Sequence, residues 1–175
     1  PSPALKSLDA EGRVIHIGSF SKSTAPAFRV GYVMAPRLVI TELVKYRRFV
    51  DRQGDAVLEL AIADLLENGT IQRYRKKARK QYAKRLDLFC EVMAQDFSDT
   101  ATFRRPDGGM AAWVNYDPQL PLPEISAKAL TEDLYLYSGE NYNPPGKKLN
   151  ATRMGFARMN EKELLESFTK LKKAL

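Results

Sequence analysis

Residues 18–32 read Gly-Ser-Phe-Ser-Lys-Ser-Thr-Ala-Pro-Ala-Phe-Arg-Val-Gly-Tyr (GSFSKSTAPAFRVGY), a lysine set among hydroxyls with an arginine seven residues on. The stretch joins two short apolar runs, residues 14–18 (VIHIG) and 30–35 (VGYVMA). Each run is bounded by turn residues, as buried strands are. Lys22 therefore follows the end of a strand, and in open α/β sheets ligands bind in the crevice beyond the carboxyl ends of the strands.

An amine held there among neutral groups, with a cation nearby, has its ammonium form disfavoured. It becomes usable as a nucleophile toward a carbonyl, which means a Schiff base. The plain alternative is a solvated loop lysine. Arg29 opens the second run, and a guanidinium beside the hydroxyls of Ser19 and Ser21 makes a seat for a phosphate through charge-assisted bonds and short donors. A carbonyl compound bearing a phosphate suits such a pair, and pyridoxal 5'-phosphate is one.

Working outward, residues 36–50 carry a helical pattern with Leu38, Val39, Leu43 and Tyr46 as core positions. Residues 55–67 (DAVLELAIADLLE) form a second helix, stopped by Asn68-Gly69, and Thr70 can cap a third. In that third helix Ile71, Tyr74, Ala78, Tyr82, Leu86, Phe89 and Met93 recur at three- and four-residue spacing, which predicts one apolar stripe with cations opposite. Further on, residues 101–105 and 110–115 read as two strands about the turn Pro106-Asp107-Gly108-Gly109. Residues 117–123 (DPQLPLP) are a loop, 124–133 a short helix, and 134–137 and 152–157 further strands. Asn160 with Glu163 matches a capping box, and Leu164, Leu165, Phe168, Leu171 and Leu175 line one face of a closing helix.

Composition narrows the chemistry. The chain has 175 residues, 44% of them hydrophobic, enough for one globular domain or two small ones. One cysteine, Cys90, forbids an internal disulfide, and with His16 the sole histidine a Cys/His metal cluster cannot be assembled. The net charge of +7 is concentrated in residues 71–90, where a packed helix with a solvated basic face competes with a phosphate- or nucleic-acid-binding face. The absence of a long apolar run and of signal-peptide order points to a soluble, cytoplasmic chain. His16, Cys90, Trp113, Tyr135 and Tyr137 read as structural, whereas Tyr142, in a loop, can approach a ligand.

The run Gly18-Ser19-Phe20-Ser21-Lys22, followed by Ala25-Pro26 and Arg29-Val30-Gly31-Tyr32, resembles the cofactor-lysine segment of fold type I pyridoxal-phosphate enzymes, the class I/II aminotransferases. Gly108-Gly109-Met110 with Trp113, and then Thr152-Arg153-Met154-Gly155-Phe156-Ala157, follow in the family's order. More narrowly, the chain is similar to the aminotransferase-like domain of MocR-type regulators of the GntR family. It departs from the pattern at Ala111-Ala112, where relatives often carry a larger residue.

The resemblance implies an α/β fold, the C-terminal part of a fold type I transferase. Residues 1–69 would be an incomplete piece of the large cofactor domain, and 70–175 a linking helix and an α+β small domain. It implies pyridoxal 5'-phosphate on Lys22, its phosphate held by Ser19 and Arg29 with Ser21 as a lesser contact, and Lys22 as the base at the substrate Cα. Arg153 would bind the α-carboxylate of an amino acid substrate or effector. The acid, the stacking aromatic and the Gly-rich helix start that the family needs lie upstream of the lysine, and only 21 residues precede Lys22 here. The chain is therefore expected to be half of a longer protein, inactive in transamination alone and paired as a homodimer through uncovered apolar surface. The parent would be a regulator that reaches DNA through an upstream winged-helix domain, or a stand-alone aminotransferase. Nucleic-acid binding through the basic helix is a minor third reading.

Overall fold

The structure, a computed structural model, describes residues 3–21, 24 and 28–175. The chain divides into two compact units, residues 1–78 and 79–175.

The first unit opens with a single 3-10 turn, Leu5–Leu8, and two short strands, β1 (His16–Ser19) and β2 (Gly31–Met34), which pair antiparallel. Gly18 lies opposite Tyr32 in that ladder, and a Cβ at Gly18 would run into the Tyr32 ring. Glycine there lets the ring fold across the strand, where it lies against His16 on one side and Phe20 on the other. Two helices follow, α1 (Arg37–Val50) and α2 (Ala56–Glu67). Asp55 caps α2 by accepting the Leu58 amide at 3.0 Å. Arg47, in the last turn of α1, bonds Glu59 in the first turn of α2 at 2.6 Å and so pins the connection.

The apolar runs 14–18 and 30–35 do form strands, but not buried ones. Ile17 is 76% exposed, and every residue of β2 is exposed. A continuous apolar run is the mark of a strand covered on both faces, and within this unit nothing described covers β2. The same holds for α1, which buries none of its residues, Leu38, Leu43 and Tyr46 included.

The third helix, α3, runs from Thr70 to Asp96 and crosses from the first unit into the second. Thr70 lies within the helix rather than capping it: the Asn68 side chain takes the Thr70 amide, and Thr70 Oγ1 accepts from Arg73. The predicted stripe is buried at Ile71, Leu86, Phe89 and Met93, while Tyr74 is half exposed. Arg75, Lys76, Lys77, Arg79, Lys80 and Lys84 line the solvent side.

The second unit is built on a three-stranded antiparallel sheet, β3 (Ala101–Phe103), β4 (Ala111–Tyr116) and β5 (Ala151–Gly155), with β4 central. Side chains alternate across a strand, so Ala112, Val114 and Tyr116 enter the core while Ala111, Trp113 and Asn115 take the other face. The core side packs against Leu86, Phe89, Met93 and Phe97 of α3, Ile125 and Ala129 of α4 (Leu122–Thr131), and Leu164, Phe168 and Leu171 of α5 (Glu161–Ala174). Phe89 sits at its centre, with the rings of Phe103, Phe156 and Phe168 within 6 Å.

The capping box at Asn160 and Glu163 is complete, with reciprocal bonds of 2.9 and 2.8 Å. On α5 the buried face runs through Leu164, Phe168, Leu171 and Ala174, and Leu165 falls outside it. Residues 134–137 alternate in burial but form no strand. Asp133, at φ +55, turns the chain, and the Leu136 carbonyl accepts from Ser126 Oγ at 2.5 Å instead of from a neighbouring strand. Among the described residues no helix is long and apolar enough to cross a membrane.

Candidate functional site

The sequence-predicted site residues fall in both units, and each group is described on its own. In the first unit Ser19 ends β1, and the Phe20 amide donates to the Val30 carbonyl at 3.0 Å, closing the ladder past its last strand pair. Phe20 and Val30 therefore lie together at one end of the two-stranded sheet. Ser19 is exposed, and its Oγ accepts the Ser21 amide at 3.2 Å, which leaves the hydroxyl hydrogen free to donate outward. Thr24 returns its amide and its hydroxyl to the Phe20 carbonyl at 2.9 and 2.8 Å.

Arg29 is exposed in the left-handed region at φ +49, a conformation uncommon for a non-glycine residue. Lys22 lies outside the described residues. No aspartate or glutamate occurs anywhere from residue 18 to residue 36. Hydroxyl donors and a guanidinium with no carboxylate in the same segment make a donor set suited to a phosphate, so these residues fit the phosphate end of the expected cofactor.

In the second unit Arg153 on β5 lies directly opposite Trp113 on β4, both on the face turned away from the core. Arg153 is exposed and makes no ion pair with any described residue. Tyr142, in a 3-10 turn at Glu140–Tyr142, stands edge-on to Trp113 with ring centroids 5.1 Å apart, and Tyr137 stands edge-on to Tyr142 at 5.5 Å. Trp113 is 39% exposed and Tyr142 41%, so of the two structural places expected for Trp113, core or interface, it does not take the core.

Two positions that sequence reasoning passed over hold this arrangement. Gly139 has φ +79, and a Cβ there would lie 2.0 Å from the Ala151 carbonyl oxygen, so only glycine lets the turn close down on the start of β5. Asn150, the residue before β5, donates from Nδ2 to the carbonyls of Asp117 at 2.7 Å, Leu120 at 2.8 Å and Tyr116 at 3.3 Å. Its Oδ1 accepts the Leu122 amide at 2.9 Å, at the first turn of α4. The Asn-Ala-Thr-Arg order is the only local signal, since nothing in it reports which loop the side chain will reach.

The sequence pattern of the family described as aminotransferase class I and II matches residues 2–171. The chain belongs to that family. Among similar proteins, the HTH-type transcriptional regulator NorG of Staphylococcus aureus is 28% identical over 158 residues, covering 90% of this chain and 35% of the regulator. An uncharacterized aminotransferase of Saccharolobus solfataricus is 28% identical over 169 residues, covering 97% of this chain and 42% of that protein. In solved structures the fold is matched by LysN, an α-aminoadipate aminotransferase of Thermus thermophilus complexed with N-(5'-phosphopyridoxyl)-L-leucine, with a TM-score of 0.83 at 24% identity. That likeness covers 99% of this chain and 45% of LysN. The mixed α/β fold expected from the lysine segment and its landmarks is thus the observed one. The chain spans less than half the length of each of these relatives.

Proposed function

We propose that this chain is the cofactor-lysine and small-domain portion of a pyridoxal 5'-phosphate-binding protein that takes an amino acid. The observation that carries it is the end of the β1–β2 ladder, where the Phe20 amide donates to the Val30 carbonyl at 3.0 Å and so brings Ser19 and Arg29 to one end of the sheet. The sequence between them contains Lys22 and no carboxylate. Ser19 and Arg29 hold the phosphate, and Ser21 contributes its hydroxyl at the same turn. Lys22 would hold the cofactor through its amine and would serve as the base at the substrate Cα. When bound, the cofactor supplies an electron sink for charge left at that carbon. Arg153 presents a planar fork to the α-carboxylate, matching its two oxygens, and Tyr142 borders it.

The parent protein is a cytoplasmic transcriptional regulator of the MocR type. In it this portion senses an amino acid or amine effector and supports homodimerisation, while an upstream winged helix binds DNA. The similarity to NorG over 90% of the chain supports this reading. Equal identity to an aminotransferase over 97% of the chain supports the second, in which the parent moves an amino group between an amino acid and a 2-oxo acid. Pairing is favoured by the apolar surface that α1 exposes, with Phe49 89% and Val50 85% accessible.

The test is addition of pyridoxal 5'-phosphate, borohydride reduction and peptide mass mapping, on this chain and on Lys22→Ala. Label confined to Lys22 is the expected result. Label spread over the lysines of α3 and unchanged by the substitution would overturn it.

A further inference from the structure

On the outer face of the second sheet Trp113 and Arg153 form one register pair, and the pairs on either side differ sharply in size. Toward one end lie Asn115 and Ala151, beneath the turn that Gly139 closes. Toward the other end lie Ala111 and Gly155, a methyl and a hydrogen. A Cβ built at Gly155 would find its nearest neighbour at 3.9 Å, the Met110 carbonyl oxygen, so the space above this pair is open. The result is a shelf two residues wide, walled by the Trp113 ring and bordered by Arg153, which makes no ion pair among the described residues.

The wall is rigid. Trp113 is held edge-on by Tyr142 and Tyr142 by Tyr137, and the turn bearing Tyr142 is fixed by Gly139 and by the Leu149 amide bonded to Asn143 Oδ1 at 2.7 Å. A ring held this way and left 39% exposed, in register with Arg153, is a surface ready to take a second ring. Apart from Arg153, the residues of β4 and β5 on this face, Ala111, Trp113, Asn115, Ala151 and Gly155, carry no charge to meet an ionised side chain.

We infer that this face is a side-chain selectivity subsite for aromatic carboxylates: the carboxylate lies on Arg153 and the ring lies over Ala111 and Gly155 against Trp113. The inference rests on the carboxylate role proposed for Arg153 and names the class of amino acid it receives. Trp113 is then the specificity-determining residue, and Tyr142 positions it. Aromatic ligands bind more tightly than aliphatic ones of similar size because ring–ring contact adds to area burial, and acidic or basic side chains are disfavoured because no opposite charge meets them.

Trp113 is the sole tryptophan of the chain, so its emission reports the subsite directly. The probes are L-phenylalanine, L-leucine and L-glutamate, titrated into the full chain. We expect a saturable change with phenylalanine at about ten-fold lower concentration than with leucine, and the weakest response with glutamate. Arg153→Gln removes the response to all three. Tyr142→Ala, checked for folding by far-ultraviolet circular dichroism, reduces the phenylalanine preference to within about two-fold. Trp113→Leu, read by ligand-observed NMR, does the same and keeps the test available if the tyrosine variant unfolds. Equal affinities for phenylalanine and leucine, both abolished by Arg153→Gln, would overturn the aromatic subsite and leave the carboxylate seat standing. Binding indifferent to Arg153→Gln, or no saturable response to any probe, would overturn both.

Discussion

Trp113 and Arg153 face each other across the β4–β5 ladder, one step from Val114 and Thr152, which face each other inside the core. Neighbouring positions on the same two strands thus take the outer face and the core in turn. The separation follows from the two-residue period of a strand.

That division predicts opposite costs. Phe89→Ala removes a ring 1% exposed and in contact with three others, and we expect it to lower stability by about 3–5 kcal/mol. Trp113→Ala, on the outer face and with the ring 39% exposed, is expected to cost less, about 1–3 kcal/mol. Urea denaturation followed by circular dichroism measures both, and the reverse order would refute the assignment of faces.

Asn150 ties the loop at residues 117–121 to the start of β5 with three donated bonds and one accepted. Asn150→Ala is expected to destabilise by about 2 kcal/mol, because partly buried carbonyls and the Leu122 amide lose their partner. Asn150→Asp is expected to be worse, since a carboxylate would face three carbonyl oxygens. Hydrogen exchange at the Leu122 amide should accelerate in both variants.

Thr152 is fully buried and its Oγ1 has no hydrogen-bond partner among the described residues. Thr152→Val replaces that hydroxyl with a methyl of the same shape and should raise stability by about 1 kcal/mol. A lower melting temperature for the valine variant would mean that the hydroxyl has a bound partner.

Asp9 accepts from Lys6 Nζ at 2.8 Å and from the amides of Arg13 and Val14 at 2.8 and 3.0 Å. The hydrogen bond from Lys6 and then those two amide bonds hold its carboxyl well below the usual carboxylate range. A depressed carboxylate contributes stability above its unfolded pKa of about 3.9 and loses it as pH falls through the folded value. The segment from Leu5 to Val14 should therefore loosen in acid, below the pH at which free aspartates protonate. Amide exchange at Arg13 and Val14 reads this, and Asp9→Asn should speed that exchange at neutral pH.

Much of the second unit was legible before any coordinates. The capping box at Asn160 and Glu163, the hairpin about Gly108-Gly109 and the alternation in β4 all rest on contacts a few residues apart, and short-range rules describe such contacts well. Leu165 and Tyr74 depart from the expected stripe because a helical stripe is wider than the groove it fills, and only the neighbour decides which edge is covered. The segment 134–137 reads as a strand in sequence because alternation records burial, whereas a strand also needs a ladder partner, and its Leu136 carbonyl accepts from Ser126 instead.

The sequence by itself determined the chemistry on offer: a lysine among hydroxyls, an arginine without acids nearby, a second arginine in an ordered motif, and the apolar periods that make helices and strands. Those are properties of residue types and spacing. Only the tertiary structure decided that Arg153 meets Trp113, that Tyr142 and Tyr137 brace that ring, and that Gly139 and Asn150 hold the turn and loop around it. These partners lie tens of residues apart in the chain, and the choice among such pairings is made by packing and by the need to satisfy buried backbone groups.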